Sequence, residues 1–188
     1  MNSKISSAIK CHLAAAEKMA ALEPEIERAA SALSRVIASG GKILVCGNGG
    51  SAADSQHMAG ELVGRFKKER RAIAAVALST DTSILTCLSN DYGFEHVFER
   101  QVEALGRRGD ALIAISTSGG SVNVLNAAKK ARALGMVTVG LLGRGGGAIK
   151  LACDMALVID ETDTPRIQEM HLLCAHIICE LIEDSSVS

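Results

Sequence analysis

His57, Glu61 and Arg65 stand four residues apart. On an α-helix that spacing places all three near one face. An imidazole and a carboxylate one turn apart form a half-site for a divalent metal, or an acid/base pair. The spacing fits a solvated polar face equally well, with a Glu–Arg pair worth about 0.2–0.5 kcal/mol. Two short segments add a second kind of chemistry. Residues 46–52 read Cys-Gly-Asn-Gly-Gly-Ser-Ala, and residues 116–121 read Ser-Thr-Ser-Gly-Gly-Ser. Glycines let a backbone approach an anion closely, and the N–H groups at a helix start favour negative charge. Hydroxyls add neutral donors. Tight strand-to-helix turns would use the same residues without any ligand.

The first of these segments also fits the dinucleotide pattern G-x-G-x-x-A at Gly47, Gly49 and Ala52. A nicotinamide-binding fold needs an acid at the end of its second strand. Here that position reads Leu78-Ser79-Thr80, with Asp81 arriving late, and the Ser-rich segment has no role in such a scheme. Near the C-terminus, Gln168, His171 and His176 sit in an apolar helical run. A histidine in such a run is usually a core residue with its polar atoms satisfied. Buried imidazoles need partners, and Glu61 is a candidate.

The elements that must position these groups follow from periodicity. Ile5, Ile9, Leu13 and Ala20 mark a first helix. Pro24 suits the first turn of a second, which carries Ile26, Ala29, Leu33, Val36 and Ile37 and stops at Gly40-Gly41. Continuous apolar runs then occupy 42–46, 73–78, 111–115, 137–142 and 155–159. Runs without alternation suit parallel strands covered on both faces. Helices are expected over 50–64, 81–88, 94–105, 121–134 and 147–152. A long last helix is expected from Pro165, capped by Thr164, to about Glu183. The fold class is therefore α/β. It is a doubly wound, mainly parallel five-stranded sheet flanked by helices, with an N-terminal helix pair and a long C-terminal helix. One domain spans 1–188, with residues 1–40 a helical extension of the same unit. The last helix is apolar almost all round from Met170 to Ile182, which predicts burial on every side, part of it against another subunit.

Composition excludes several classes. The 188 residues carry 20 Lys plus Arg against 21 Asp plus Glu, a net charge of −1. Nucleic-acid binding needs a basic excess. Three Phe, one Tyr and no Trp are too few for a base-stacking platform or a membrane-interface belt. A hydrophobic share of 48% argues against disorder. No window approaches the roughly 20 apolar residues of a membrane span, and residues 1–20 have no signal-peptide core. Six cysteines without a CxxC pair read as reduced, buried hydrophobes of a cytoplasmic protein.

Four ordered segments, GNGGSAADSQHMAGEL, SNDYGF, ISTSGGS and TPRIQEMHLLCAH, together resemble the SIS (sugar isomerase) family. They are most similar to its sedoheptulose 7-phosphate isomerase branch, and the resemblance runs through nearly the whole chain. It implies a cytoplasmic homotetramer with active sites at subunit interfaces and one zinc per subunit. The implied reaction is an aldose–ketose isomerisation of sedoheptulose 7-phosphate to D-glycero-D-manno-heptose 7-phosphate, the first step toward nucleotide-activated heptose. The resemblance gives His57, Glu61, Gln168 and His176 as metal ligands and Glu61 with His176 as the acid/base pair. It gives Asn48, Gly49 and Gly50 as the first substrate loop, Asn90 and Asp91 as a further contact, and Ser116, Thr117, Ser118 and Ser121 as the sugar-phosphate loop. Ser51, Arg65, Glu61 and Gln168 complete the expected substrate contacts, and His171 stays in the core. Pro165 stands where some members have Asp, and Gly120 where others have Asn. A sister group in the family binds the replication initiator DnaA without known catalysis. It lacks the carboxylate and imidazole that Glu61 and His176 supply here. A non-catalytic sugar-phosphate sensor is a third reading.

Gln168 and His176 are eight residues apart, about 12 Å along a straight helix and about 80° apart in direction. That geometry predicts a site to which a neighbouring subunit contributes, with Glu61 and His176 meeting across the interface.

Overall fold

The computed structural model describes residues 3–186. Two helices, α1 (Ser3–Lys18) and α2 (Glu23–Ala38), precede the sheet, and Pro24 sits in the first turn of α2. Five parallel strands follow: β1 (Ile43–Gly47), β2 (Ala75–Ala77), β3 (Ala111–Ser116), β4 (Val137–Gly143) and β5 (Met155–Ile159). Between them run α3 (Gly50–Val63), α4 (Thr82–Tyr92), α5 (Val97–Leu105), α6 (Val122–Ala133) and α7 (Gly147–Ala152), and α8 (Thr164–Ser186) closes the chain. The sheet order is β2-β1-β3-β4-β5. In this doubly wound order the chain reverses direction across the sheet between β1 and β3, which opens a crevice at their carboxyl ends.

Every residue of β1 and β3 is buried. Ile43, Val45, Ile113 and Ile115 join the core under α2, α3 and α8, while Leu44, Cys46, Leu112 and Ala114 join the core under α5, α6 and α7. Continuous hydrophobicity thus has its physical reason: alternate side chains serve two different cores.

The structure departs from expectation in three places. β2 is shorter than the run 73–78, because it is an edge strand bonded only to β1. α4 runs on to Tyr92; the Asp81 carboxylate caps it by accepting from the Ile84 N–H. The segment 94–105 starts as a 3₁₀ turn (Phe94–His96) before α5. Within the single chain, α8 is covered along one side. Its buried positions, Ile167, Met170, His171, Cys174, Ala175, Ile178, Cys179, Ile182 and Glu183, form one stripe, and Leu173 and Leu181 stay exposed. Among the described residues no helix is long and apolar enough to cross a membrane.

Candidate active site

The crevice between β1 and β3 is lined by two glycine-rich loops. After β1, the chain turns through Asn48 and Gly49 into α3; the N–H groups of Ser51 and Ala52 bond the carbonyls of Asn48 and Gly49. After β3, it turns through residues 117–121 into α6. There Ser116 Oγ lies 3.0 Å from Ser121 Oγ and 3.4 Å from Ser118 Oγ, and the Gly120 N–H donates to Ser118 Oγ. Ser116, Ser118 and Ser121, three of the four expected sugar-phosphate residues, therefore share one hydroxyl cluster. Ser116 is buried, while Ser118 is exposed.

Gly119 shows why this loop is glycine-rich. Its φ is +65°, and a Cβ there would lie 2.2 Å from the Gly146 carbonyl carbon. Its own carbonyl accepts from the Ile149 N–H. The loop is thus clamped against the turn that leads into α7. A Cβ at Gly120 would meet only Ser118 Oγ, at an ordinary contact distance of 3.9 Å.

A residue outside the sequence expectations joins the two loops. Asn48 Nδ2 donates to Asn123 Oδ1 (2.8 Å), and Asn123 Nδ2 donates back to Asn48 Oδ1 (2.9 Å). Asn123 Oδ1 also accepts from the Val124 N–H in the first turn of α6. Asn123 lies two residues past the Ser-rich loop and is buried; a polar residue in an otherwise apolar helix face was the available signal.

α3 and α8 lie side by side and carry the reactive groups. At the loop end, the Gln168 amide packs on Gly50: a Cβ at Gly50 would meet Gln168 Nε2 at 2.2 Å. Two turns further along the seam, His57 Nε2 is 2.8 Å from His176 Nε2 and 3.3 Å from Glu61 Oε1. One ligand atom from each of His57, Glu61 and His176 lies within 4.8 Å of the others. Two imidazole nitrogens and a carboxylate oxygen at such separations are a donor set that suits zinc, with an open position for water or substrate. The Phe66 ring stacks on His176, with centroids 5.4 Å apart.

This arrangement corrects one expectation. Glu61 and His176 meet within a single chain, so this pair does not need an interface. Arg65 is a second correction. It lies beyond the end of α3, is exposed, and forms no ion pair with Glu61 among the described residues. Helical spacing fails there because Gly64 ends the helix. Asn90 and Asp91 lie exposed near the end of α4; Asn90 Nδ2 donates to Asp91 Oδ1, and neither bonds to the glycine loops. His171 is fully buried as expected of a core residue, but its ring nitrogens lack the well-formed partners that expectation included.

The chain's similarities agree with this geometry. The family model for the SIS domain matches residues 10–143. A phosphoheptose isomerase of Helicobacter hepaticus is 53% identical over 183 residues, covering 97% of this chain and 93% of that protein. Phosphoheptose isomerase GmhA from Neisseria gonorrhoeae superposes with a TM-score of 0.91 at 43% identity, covering 96% of this chain and 97% of that one. A phosphoheptose isomerase from Francisella tularensis gives 0.94 at 38% identity, covering 98% and 100%. With a matching fold, near-complete coverage and both loops in place, the chain belongs to the SIS domain family, in the branch of the phosphoheptose isomerases.

Proposed function

We propose that this protein isomerises sedoheptulose 7-phosphate to D-glycero-D-manno-heptose 7-phosphate. The observation that carries the reading is the convergence of His57, Glu61 and His176 on the α3/α8 seam that starts at the first glycine loop. A purely DnaA-binding role would have no use for that convergence.

The reaction moves a proton between C1 and C2 of the sugar through an enediol. It needs a base above the carbon and an acid beside the carbonyl oxygen. In this reading Glu61 accepts the carbon-bound proton and returns it to the neighbouring carbon. His176 donates a proton to the C2 oxygen as the enediol forms and takes the proton of the C1 hydroxyl as the aldehyde appears. The hydroxyls of Ser116, Ser118 and Ser121, with Thr117 and the N–H groups at the start of α6, hold the phosphate. Asn48, Gly49, Gly50 and Ser51 line the opposite wall, with Gln168 against it.

His57, Glu61 and His176 would hold a zinc ion, which would supply Lewis-acid stabilisation of the developing enediolate charge. Gln168, expected as a fourth ligand, packs on Gly50 two turns away along the seam, so in this reading a fourth ligand comes from water, substrate or another subunit. Coordination lowers the basicity of Glu61, so ligand and base roles compete at that carboxylate.

The active unit in this reading is a homotetramer. Ile5, Ile9 and Leu13 form an exposed stripe on α1, Leu173 and Leu181 are exposed on α8, and α4 has no buried residue. Covering α4 in an assembly would also enclose Asn90 and Asp91 at a site between subunits. Cys46, Cys153, Cys174 and Cys179 are buried as expected, whereas Cys11 and Cys87 are exposed. Six free cysteines support a cytoplasmic enzyme, whose product feeds nucleotide-activated heptose for lipopolysaccharide or another surface polysaccharide.

The test is an isomerase assay on sedoheptulose 7-phosphate with metal analysis of the same sample. Turnover with about one zinc per chain supports the reading; a folded protein without turnover in the presence of zinc contradicts it.

A further inference from the structure

The segment that follows α3 is held by an ion pair that no part of the isomerase reading uses. Arg70 and Glu183 face each other with side chains 2% and 1% exposed, Nε to Oε1 at 3.2 Å. That distance pairs the charges, although Nε is not aligned as a hydrogen-bond donor.

Each partner gathers backbone groups. The Arg70 guanidinium donates from Nη2 to the carbonyl of Glu61 (2.7 Å) and from Nη1 to those of Leu62 and Gly64 (2.9 and 3.2 Å). These are the orphan carbonyls at the end of α3. The Glu183 carboxylate accepts from three successive N–H groups, those of Phe66, Lys67 and Lys68, at 3.0, 2.8 and 2.8 Å. Burial by itself would raise the Glu183 pKa; these three donors and the Arg70 charge outweigh it and hold the carboxyl below its ordinary range.

Both ends of the brace touch the reactive cluster. One arm ends on the backbone of Glu61. The other fixes residues 66–68, and with them the Phe66 ring stacked on His176. Glu183 stands seven residues after His176, two turns on and about 20° off its direction on α8. The two residues therefore share one face of that helix.

Resting on the metal and acid/base roles given above, we propose that the Arg70–Glu183 pair positions the cluster. It sets the end of α3 that carries Glu61 and holds Phe66 as the wall that orients the His176 imidazole. Arg70, Glu183 and Phe66 are positioning residues and do not touch substrate. Outer partners that orient metal ligands commonly matter 10–100-fold to affinity or activity.

The test compares Glu183→Gln with the wild-type protein, using zinc competition with a chromophoric chelator and steady-state kinetics. Glu183→Gln removes the charge and one acceptor while keeping the shape. Zinc affinity should fall at least about 10-fold. The parameter kcat should fall while KM for the sugar phosphate stays nearly constant, since the hydroxyl loop is untouched. A folded Glu183→Gln protein with wild-type zinc affinity and kcat overturns the proposal, because a merely structural pair would lower only the melting temperature. If that variant does not fold, Phe66→Leu, which leaves the ion pair intact, takes its place. Unchanged zinc affinity in Phe66→Leu then overturns the proposal. A wild-type protein that binds zinc but shows no isomerase activity would count against the function reading alone, because the affinity comparison is scored separately.

Discussion

His57 Nε2 and His176 Nε2 lie 2.8 Å apart although 119 residues separate them in the chain. Two ring nitrogens at that distance suit a shared hydrogen bond or, together with Glu61, a common ion. The contact exists because α3 and α8 run along each other from Gly50 and Gln168 onward. Glu61, one turn after His57, completes the triangle from the same chain.

Complementation between inactive variants reads this directly. Glu61→Ala and His176→Ala proteins, unfolded together and refolded as a mixture, should recover no activity. Any site that loses one of the two residues loses it within its own chain. Recovery to a sizeable fraction of wild-type turnover would show that the pair meets across an interface.

Ser118 tests the phosphate loop. Its hydroxyl is exposed at the crevice and close to Ser116 Oγ and the Gly120 N–H. Ser118→Ala should remove one hydrogen bond to a charged group, worth roughly 1.5–3 kcal/mol. KM for the sugar phosphate should rise by about tenfold or more, measured by initial rates. An unchanged KM would remove Ser118 from the loop's function.

Asn123 tests the tie between the loops. Asn123→Leu keeps the volume but leaves the Asn48 amide and the Val124 N–H without their partner. The loss should be about 1–3 kcal/mol, read from the urea midpoint. A midpoint equal to wild type would show that water replaces the amide at no cost.

Much of this was legible before the fold was known. The apolar runs gave all five strands, because strands buried on both faces need no alternation. The loops after β1 and β3 stood out because Gly and Ser cluster there, where a strand turns sharply into a helix. The His57–Glu61 pairing is local, so helical spacing alone predicted it. What was missed is long-range. Asn48 meets Asn123 and Phe66 meets Glu183 across 75 and 117 residues, and no local pattern announces such partners. The interface expectation for Glu61 and His176 failed for a related reason. Helix arithmetic describes α8 alone, and it was the parallel course of α3 that let Gln168 and His176 act at different points of one seam.

His171 gives a pH signature for stability. It is fully exposed to neither water nor a well-formed partner: its side chain is buried and neither ring nitrogen makes a hydrogen bond of good geometry. Burial pulls its pKa down from 6.5 to about 4, with the Leu142 carbonyl opposing slightly. A depressed folded-state pKa means the unfolded chain binds the proton first. The stability tied to the neutral ring is therefore intact above pH 6.5 and is lost as pH falls toward 4. At 1.36 kcal/mol per pKa unit the loss is of order 3 kcal/mol. The urea midpoint should drop across that window, and His171→Met should flatten the drop. An equally steep drop in His171→Met would assign it to other groups.

The most direct measurement is the isomerase rate of Glu61→Gln on sedoheptulose 7-phosphate, beside wild type under saturating zinc. Gln keeps the shape of the side chain and a ligand oxygen while removing the base. A fall in kcat of at least about 100-fold, in a protein that keeps its fold and its substrate affinity, is the predicted result. A Glu61→Gln enzyme turning over within about tenfold of wild type would contradict the account, since no carboxylate would then remain at the cluster to take the proton.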